Sequence, residues 1–128
     1  MLTESEVKFA RYSTVEKEAD KFGRVIGVRR LKPSEQTKLS GLTADVSGSD
    51  EAINENGEKV TIPHRMPLLI AAAVCMIDDV RIPFPRTRGE LDAIYDRLDA
   101  EGVAAAGAAL VRLSQADSVE DALVEAKN

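Results

Sequence analysis

The sequence predicts a mainly α protein of the α+β class, in which four to five short helices pack together with an N-terminal β-hairpin. Apolar residues make up 44% of the 128 residues but aromatic residues only 4%. The core must therefore be aliphatic and rich in Ala, which favours closely packed helices. Two β-leaning runs flank the short segment "DKFG" near the N-terminus. The length indicates a single domain over residues 1–128.

The N-terminal hairpin is predicted from two runs of strand-forming residues. Its strands lie near residues 13–18 and 24–31, and Gly23 can take the positive φ that the turn needs. A helix over residues 4–20 is the alternative, because the first of these strands consists largely of good helix formers. Residues 1–12 are polar, and we expect them to be frayed or loosely docked.

A short helix and a long polar segment follow the hairpin. Pro33 suits the first turn of the helix because its missing N–H is not needed there, and the helix should end near Gly41 or Thr43. Residues 44–64 are rich in Ser, Asp, Asn and Gly, which predicts a long polar loop, although a loop of this length is unusual in a compact domain. The Asn56-Gly57 turn signal makes a small hairpin the alternative.

The most hydrophobic stretch is predicted to be a central helix over residues 66–78. It is apolar on all sides, which is typical of an element that is buried on most sides. Beyond Asp79 the chain must be extended or turned, because a residue that precedes Pro83 or Pro85 is pushed out of the α region.

The C-terminal part is predicted to contain two further helices. Thr87 and Glu90 form a capping box for the first of them, whose apolar residues follow the i, i+3, i+4, i+7 pattern. Gly102 marks the end of this helix or a kink in it. Ser118 can cap a last short helix over residues 117–126, which carries an apolar stripe opposite its acidic residues.

No residue pattern in the chain points to an enzyme. Asp78 and Asp79 are adjacent, but no further carboxylates follow at the spacing of a calcium loop, so we expect a solvated turn. His64 is the only histidine, and one chain therefore cannot build a two-histidine metal site. Cys75 lies in an apolar run, which indicates a buried, unreactive thiol. We expect no catalysis, no cofactor and no metal, since phosphate-binding, dinucleotide-binding and nucleophile-elbow motifs are missing as well.

Charge and hydropathy argue against further classes of partner. The formal net charge of −5 gains nothing from counterion release at phosphates, so nucleic-acid binding is disfavoured. Four basic residues form a local cluster: Arg24, Arg29, Arg30 and Lys32. They could make a small basic face, although a solvated strand edge is the preferred interpretation. The central apolar run is too short to cross a bilayer and the acidic N-terminus is unlike a signal peptide, so we expect a cytosolic protein without a membrane partner.

Two stretches of the chain resemble the tail assembly chaperones of long-tailed bacteriophages and prophages. Around "MIDDVRIPFPRTRGELDAIYDRLDAEGVAAAGAAL", an Ala-rich apolar helix is followed by I-D-x-V-x-I-P-F-P and by a capped helix that ends in R-L-D-x-x-G. The stretch "GRVIGVRRLKPSEQTKLSGL" is similar to the N-terminal segment of that family, a strand entering a short helix. The resemblance covers residues 23–43 and 66–113. It depends mainly on the order of the motifs along the chain. The polar segment 44–64 is longer than the family pattern leads us to expect.

The resemblance implies a small, mainly helical, non-enzymatic protein that escorts the tape measure protein while tail tube subunits polymerise. It also implies self-association, a place in the cytoplasm of the bacterial host and absence from the mature virion. The family often makes a longer product by programmed ribosomal frameshifting, and Lys127-Asn128 could be encoded by slippery codons. Two other interpretations stay open: a structural minor tail or connector protein retained in the virion, and a small metal-dependent enzyme.

A chaperone for a long apolar helix needs an apolar patch with a polar rim, used in many copies along one partner. The extended segment around the two prolines and the apolar stripe of the last predicted helix fit this need. The candidate interaction surface therefore consists of Ile82, Pro83, Phe84, Pro85, Val119 and Leu123.

Overall fold

The structure, a computed structural model, describes the backbone of residues 3–127 and the side chains of residues 3–116. Within this part the chain forms four helices and six strands, and the strands make two antiparallel sheets. Of residues 3–116, helices hold 50% and strands 23%, so the fold is a mixed α and β one. The prediction of a mainly α fold, in which four to five short helices pack with an N-terminal β-hairpin, is therefore wrong, although residues 15–29 do form the hairpin.

Helices and hairpins alternate along the chain. The helices are α1 (Glu4–Ser13), α2 (Pro33–Leu42), α3 (Met66–Ala73) and α4 (Arg88–Lys127). The strands are β1 (Val15–Ala19), β2 (Val25–Arg29), β3 (Ser49–Ile53), β4 (Lys59–Pro63), β5 (Val74–Ile77) and β6 (Val80–Arg81). The larger sheet has the strand order β1-β2-β5-β6, and β3 and β4 form the smaller sheet.

Helix α1 is the first element of the chain, in the segment 1–12 for which we expected frayed or loosely docked residues. None of its residues is buried. It begins with a capping box: the Thr3 hydroxyl accepts a hydrogen bond from the Glu6 N–H at 3.1 Å, and the Glu6 carboxylate accepts one from the Thr3 N–H at 3.3 Å. Because the first N–H groups of a helix lack partners within it, this box fixes where α1 starts. A helix therefore precedes the hairpin.

The predicted hairpin strands, 13–18 and 24–31, correspond to β1 and β2. The two strands pair in register over all five residues of each, and Gly23 takes a φ of +89° in the turn between them. Thr14 is already extended, with φ −68° and ψ 124°. The helix alternative over residues 4–20 therefore describes only the first half of that segment.

The central apolar run is a helix followed by a strand, so the prediction of one helix over residues 66–78 is wrong beyond Ala73. Val74 has extended backbone angles, φ −69° and ψ 123°, and β5 pairs with β2. Val74 and Ile77 are buried in the sheet, as Ala71 is buried in the helix. No change of polarity marks the boundary, and periodicity cannot distinguish a short buried strand from a buried helix.

Asp78 and Asp79 form the tight turn between β5 and β6. Asp78 has a φ of +53°, a conformation that Asp tolerates better than most residues. Its N–H donates to the Val25 carbonyl oxygen at 2.7 Å, and its carboxylate accepts a hydrogen bond from the Val25 N–H at 2.9 Å. Both acids are exposed. Asp78 therefore extends the pairing of β2 with β5 from a solvated turn.

The start of α4 uses the two residues that the sequence suggests for a capping box. The Thr87 hydroxyl accepts a hydrogen bond from the Glu90 N–H at 3.1 Å. The Glu90 carboxylate accepts one from the N–H of Arg86 at 2.7 Å, one residue earlier than in the predicted box. Both hydrogen bonds place the first turn of α4 directly after the proline segment.

Helix α4 bends at Asp99, where φ is +56° and ψ is −175°. The predicted break at Gly102 is wrong, because the helix passes through this residue. A Cβ at Gly102 would lie 2.9 Å from the Leu98 Cβ, so close packing explains the glycine. The helix also continues through residues 117–126, and the separate last helix predicted there is therefore part of α4.

The core lies between the larger sheet and the helices α3 and α4. Its largest fully buried aliphatic side chains are Ile26, Val28, Val74, Leu91 and Leu98. Small residues of α3 and α4 complete the same cluster: Ala71, Ala72, Ala105, Ala106 and Ala109. The aliphatic, Ala-rich core predicted from composition is thus present, but it is shared between helices and a sheet.

Residues 44–64, for which a long polar loop and a small hairpin were the alternatives, contain β3 and β4 paired in register. The Asn54 side-chain carbonyl accepts hydrogen bonds from the N–H of Asn56 at 3.0 Å and of Glu58 at 2.9 Å. Gly57 takes a φ of +80° in this turn. The polar composition of the segment is that of a solvated two-stranded hairpin.

The His64 side chain contacts two residues at the base of this hairpin. Its Nε2 lies 2.9 Å from the Asp50 carboxylate and its Nδ1 3.2 Å from the Ser47 carbonyl oxygen. Only the protonated ring has two N–H donors and can satisfy both acceptors. The hydrogen bond with Asp50 and that with Ser47 raise the pKa of His64 above its ordinary value.

We expect Asp50→Asn to lower the pKa of His64. The pKa of His64 is raised in the folded chain. Its contact with Asp50 therefore contributes its full stabilisation at pH values below the pKa that His64 has in the unfolded chain. This contribution is lost as the pH rises through the folded pKa. An NMR titration of the single histidine measures the pKa, with Glu51→Gln on the same strand as the control. A His64 pKa that is unchanged in Asp50→Asn would contradict the contact.

Candidate interaction groove

One face of the larger sheet is covered by α4. Ile26 and Val28 of β2 are fully buried on this face. Glu16 and Glu18 of β1 lie on the same face, because they are the partners of Val28 and Ile26 in the register of the two strands. Arg112 of α4 donates hydrogen bonds to both carboxylates, at 2.9 Å to Glu16. These ion pairs explain why helix-forming residues stand in β1.

The opposite face of the larger sheet, which we call the open face, carries a different set of side chains. Side chains alternate along a strand, so Val15 of β1 and Gly27 of β2 point away from α4. A Cβ at Gly27 would lie 3.0 Å from the Val15 Cγ1 and 3.2 Å from the Met76 Cβ. The missing side chain of Gly27 therefore lets Val15 and Met76 approach each other and form one apolar floor.

A groove of about 620 Å³ lies on the open face. One wall is formed by Phe9 and Tyr12 of α1, and the other by Ile82, Pro83 and Phe84 beyond β6. We call it the open-face groove, and its floor is the apolar sheet surface described above. The groove thus brings together the first helix, the sheet and the proline segment, which are far apart in sequence.

The walls of the groove are unevenly buried. Phe9 is 75% exposed, whereas Ile82 and Phe84 are half-buried and pack against the core. Large aromatic side chains that face an open apolar groove are typical of a binding surface. The open-face groove is therefore the strongest candidate for a functional site.

In the described part of the chain, all charged side chains that line the groove are cationic: Arg29, Lys32 and Arg81. Arg29 forms a two-pronged ion pair with Glu35, at 2.8 and 2.7 Å, and the hydrogen bond from Arg29 holds the pKa of Glu35 below its usual range. Among the described residues, neither Lys32 nor Arg81 has an acidic partner within 4 Å. The rim of the groove is thus positive in a chain whose net charge is −5.

Cys75 lies in the groove between the floor and the basic rim. Its thiol is half-buried and lies 3.6 Å from the Gly27 carbonyl oxygen. Burial raises the pKa of the Cys75 thiol, although nearby Arg29, Arg81 and Lys17 oppose the rise. A thiol with a raised pKa is mostly protonated at neutral pH and is a weak nucleophile. Cys75 therefore contributes apolar surface to the groove.

The predicted interaction residues separate into three groups in the structure. Ile82, Pro83 and Phe84 line the open-face groove. Pro85 is fully buried behind them and supports the wall. The side chains of Val119 and Leu123 lie outside the described residues.

Sequence reasoning missed the wall that α1 contributes. Phe9 and Tyr12 were overlooked because we expected residues 1–12 to be frayed or loosely docked. Two signals could have located them. The T-x-x-E pattern at Thr3 marks a helix start, and aromatic residues three positions apart share one face of a helix.

The cluster of basic residues between positions 24 and 32 does not form one basic face. Arg24 binds Asp20 and two carbonyl oxygens of α4. Arg29 binds Glu35. Arg30 donates to the carbonyl oxygens of Arg11 and Leu113. Arg24, Arg29 and Arg30 therefore hold elements together, and only Arg29 and Lys32 border the groove.

Two searches of the described part of the chain bear on other classes of site. Residues 3–116 contain no group of three or more His, Cys, Asp and Glu side chains that is arranged to hold a metal ion. In the same part, none of the helices is both long enough and apolar enough to span a membrane. Cys75 lies in β5 of the larger sheet, whereas His64 follows β4 of the smaller sheet.

Comparisons with known proteins give no further guide to the groove. No protein-family model, no curated protein and no solved structure matches this chain. What the chain does must therefore be inferred from the geometry of the groove and from the resemblance of its motifs.

Proposed function

We propose that the chain is a non-enzymatic phage tail assembly chaperone that binds the tape measure protein, tail tube subunits, or both during tail morphogenesis. The observation that carries the proposal is the position of the Pro-Phe-Pro segment. The same residues that carry the resemblance, Ile82 to Phe84, form a wall of the open-face groove. The motif therefore coincides with the apolar surface that a binding protein needs.

The groove also has the physical character that the role requires. It is open, its walls are aromatic and aliphatic, and its rim is charged, so a partner can bind through modest apolar burial without a deep pocket. A long tape measure protein would bind many copies along its length, and many weak contacts give a strong total attachment. Release then needs only the loss of contacts one copy at a time, as tail tube subunits replace them.

We expect Phe84→Ala to lower the affinity for the tape measure protein or the tube subunit by about tenfold, because an aromatic wall residue is lost. Co-expression with either protein from the same phage or prophage genome, followed by purification of the complex, measures the loss. Phe22→Ala is the matched control, since Phe22 is 71% exposed in the β1–β2 turn and does not line the groove.

Two outcomes would contradict the proposal. Retained binding in Phe84→Ala, with a normal circular dichroism spectrum, would show that the groove is not the binding surface. Mass spectrometry of purified particles gives the second test, because a chaperone leaves before the tail is complete. Stoichiometric amounts of the chain in finished virions would instead favour a structural tail or connector protein.

A further inference from the structure

We infer that the open-face groove binds residues 117–126 of a second copy of the chain, so that copies associate head to tail. The inference deepens the proposed function and rests on it in treating the groove as a docking site. Residues 117–126 of the second copy occupy the groove when no tail protein is bound.

The groove selects an acidic and apolar segment. Its floor and walls offer Val15, Met76 and Phe84 for apolar contact, and its rim offers the cationic groups of Lys32 and Arg81. Neither cation forms an ion pair within 4 Å with a described residue, although the charge of Lys32 also acts on Glu35, so both can pair with an incoming carboxylate. A partner without negative charge would leave them unpaired at the edge of a desolvated surface.

Residues 117–126, "DSVEDALVEA", have this chemistry. They contain four acidic residues and no basic one. The same ten residues include the apolar Val119, Leu123 and Val124. Val119 and Leu123 are four positions apart, which places them on one face of a helix. Within the chain, this segment is therefore complementary to the groove in both charge and hydropathy.

The occupant comes from a second copy because of the course of α4. Arg112 contacts β1 on the face of the sheet that is opposite to the groove. From there α4 continues as a helix to Lys127, so the segment extends from the face of the sheet that the groove does not occupy. An interface between two different surfaces of identical chains is heterologous, and it can join more than two copies.

A labelled peptide with the sequence of residues 114–127 provides the first test. We expect saturable binding to the full chain that weakens as salt is added. Arg81→Glu in the full chain should raise the dissociation constant about tenfold by replacing attraction with repulsion, and Phe84→Ala should weaken binding as well. Arg97→Glu and Phe22→Ala, exposed residues outside the groove, are the matched controls and should leave the constant unchanged.

Sedimentation velocity of the full chain provides the second test. The native chain should form larger species as its concentration rises, and Arg81→Glu and Leu123→Asp should each remain monomeric. An equimolar mixture of these two variants should form a dimer and nothing larger. One variant keeps an intact segment and the other keeps an intact groove, so only one junction can form.

Three results would overturn the inference. They are a chain that stays monomeric at all concentrations, peptide binding that Arg81→Glu leaves unchanged, and a mixture of the two variants that forms no dimer. If the chain fails these tests but still binds a tail protein through Phe84, the head-to-tail contact is refuted and the proposed function stands. Loss of tail-protein binding with intact self-association would refute the proposed function alone.

Discussion

Replacing Arg24 with Ala is expected to lower the melting temperature of the protein by about 10 °C. The guanidinium group joins the hairpin of β1 and β2 to the bend in α4. Its two terminal nitrogens donate to the carbonyl oxygens of Arg97 and Leu98 at 2.8 and 2.7 Å. Its Nε donates to the Asp20 carboxylate at 2.7 Å. A single side chain therefore satisfies three acceptors on two elements.

The bend at Asp99 explains why these acceptors need Arg24. A break in a helix leaves the preceding carbonyl oxygens without their helical N–H partners. Arg24 supplies donors to two of them, and the Asp99 carboxylate accepts a hydrogen bond from the Ala100 N–H at 2.8 Å to start the following turn. Without Arg24, the carbonyl groups at the bend would have to find water or remain unpaired.

The Asp20 carboxylate adds to the expected loss. Its side chain is fully buried, and it also accepts hydrogen bonds from the N–H groups of Phe22 and Arg24, both at 2.9 Å. Burial by itself would raise the pKa of Asp20, but the hydrogen bonds from Arg24 and Phe22 outweigh it and lower the pKa below its ordinary value. The stabilisation from Asp20 is thus present above the unfolded pKa and is lost as the pH falls through the folded pKa.

Thermal unfolding followed by circular dichroism measures the effect of Arg24→Ala. Arg97→Ala is the control, because only the backbone of Arg97 takes part in the contact and its side chain is exposed. The double variant Asp20→Ala, Arg24→Ala should be less destabilised than the sum of the two single changes. Equal melting temperatures of Arg24→Ala and Arg97→Ala would contradict the assigned role.

Ala106→Leu is expected to lower the free energy of unfolding by about 3 kcal/mol. Ala106 is fully buried in the core cluster. α3 comes close in the same stretch of α4, because a Cβ at Gly107 would lie 3.6 Å from the Ile70 Cδ1. Three extra carbon atoms have no space there, so the helices must move apart or the side chain must take a strained rotamer.

Urea unfolding compares this variant with Ala104→Leu, which places the same side chain at an exposed position of the same helix. Exposed substitutions usually change stability by less than about 0.5 kcal/mol. We therefore expect a clear difference in the unfolding midpoint at an unchanged slope. Similar midpoints for the two variants would show that α4 does not pack tightly at Ala106.

The parts of the fold that could be predicted are those with a local cause. The turn at Gly23, the start of α2 at Pro33 and the cap at Thr87 each depend on residues a few positions apart. β5 could not be predicted in the same way. Its residues are all apolar and show no alternation of polarity, and they form a strand because β2 lies beside them. That contact joins residues about fifty positions apart.

The residues of the candidate site also differ in whether they could be predicted from local sequence. Ile82 and Phe84 could be proposed because an extended apolar segment between prolines is visible in the sequence. The opposite wall could not, since Phe9 and Tyr12 become part of a site only when α1 lies beside the sheet. The bend at Asp99 could not be predicted either, because Gly102, three residues later, is the residue that indicated a break in the helix. The carbonyl groups at the bend are paired by Arg24, which lies 74 positions before Leu98 in the sequence.

The position of Cys75 gives the groove a built-in chemical reporter. It is the only cysteine of the chain, so an alkylating reagent modifies one thiol and one mass shift counts the modified molecules. Because its pKa is raised, the modification is slow at neutral pH and accelerates as the solution becomes more alkaline. Any occupant of the groove shields the thiol, and the alkylation rate of the unmodified protein therefore measures occupancy without a label or a mutation.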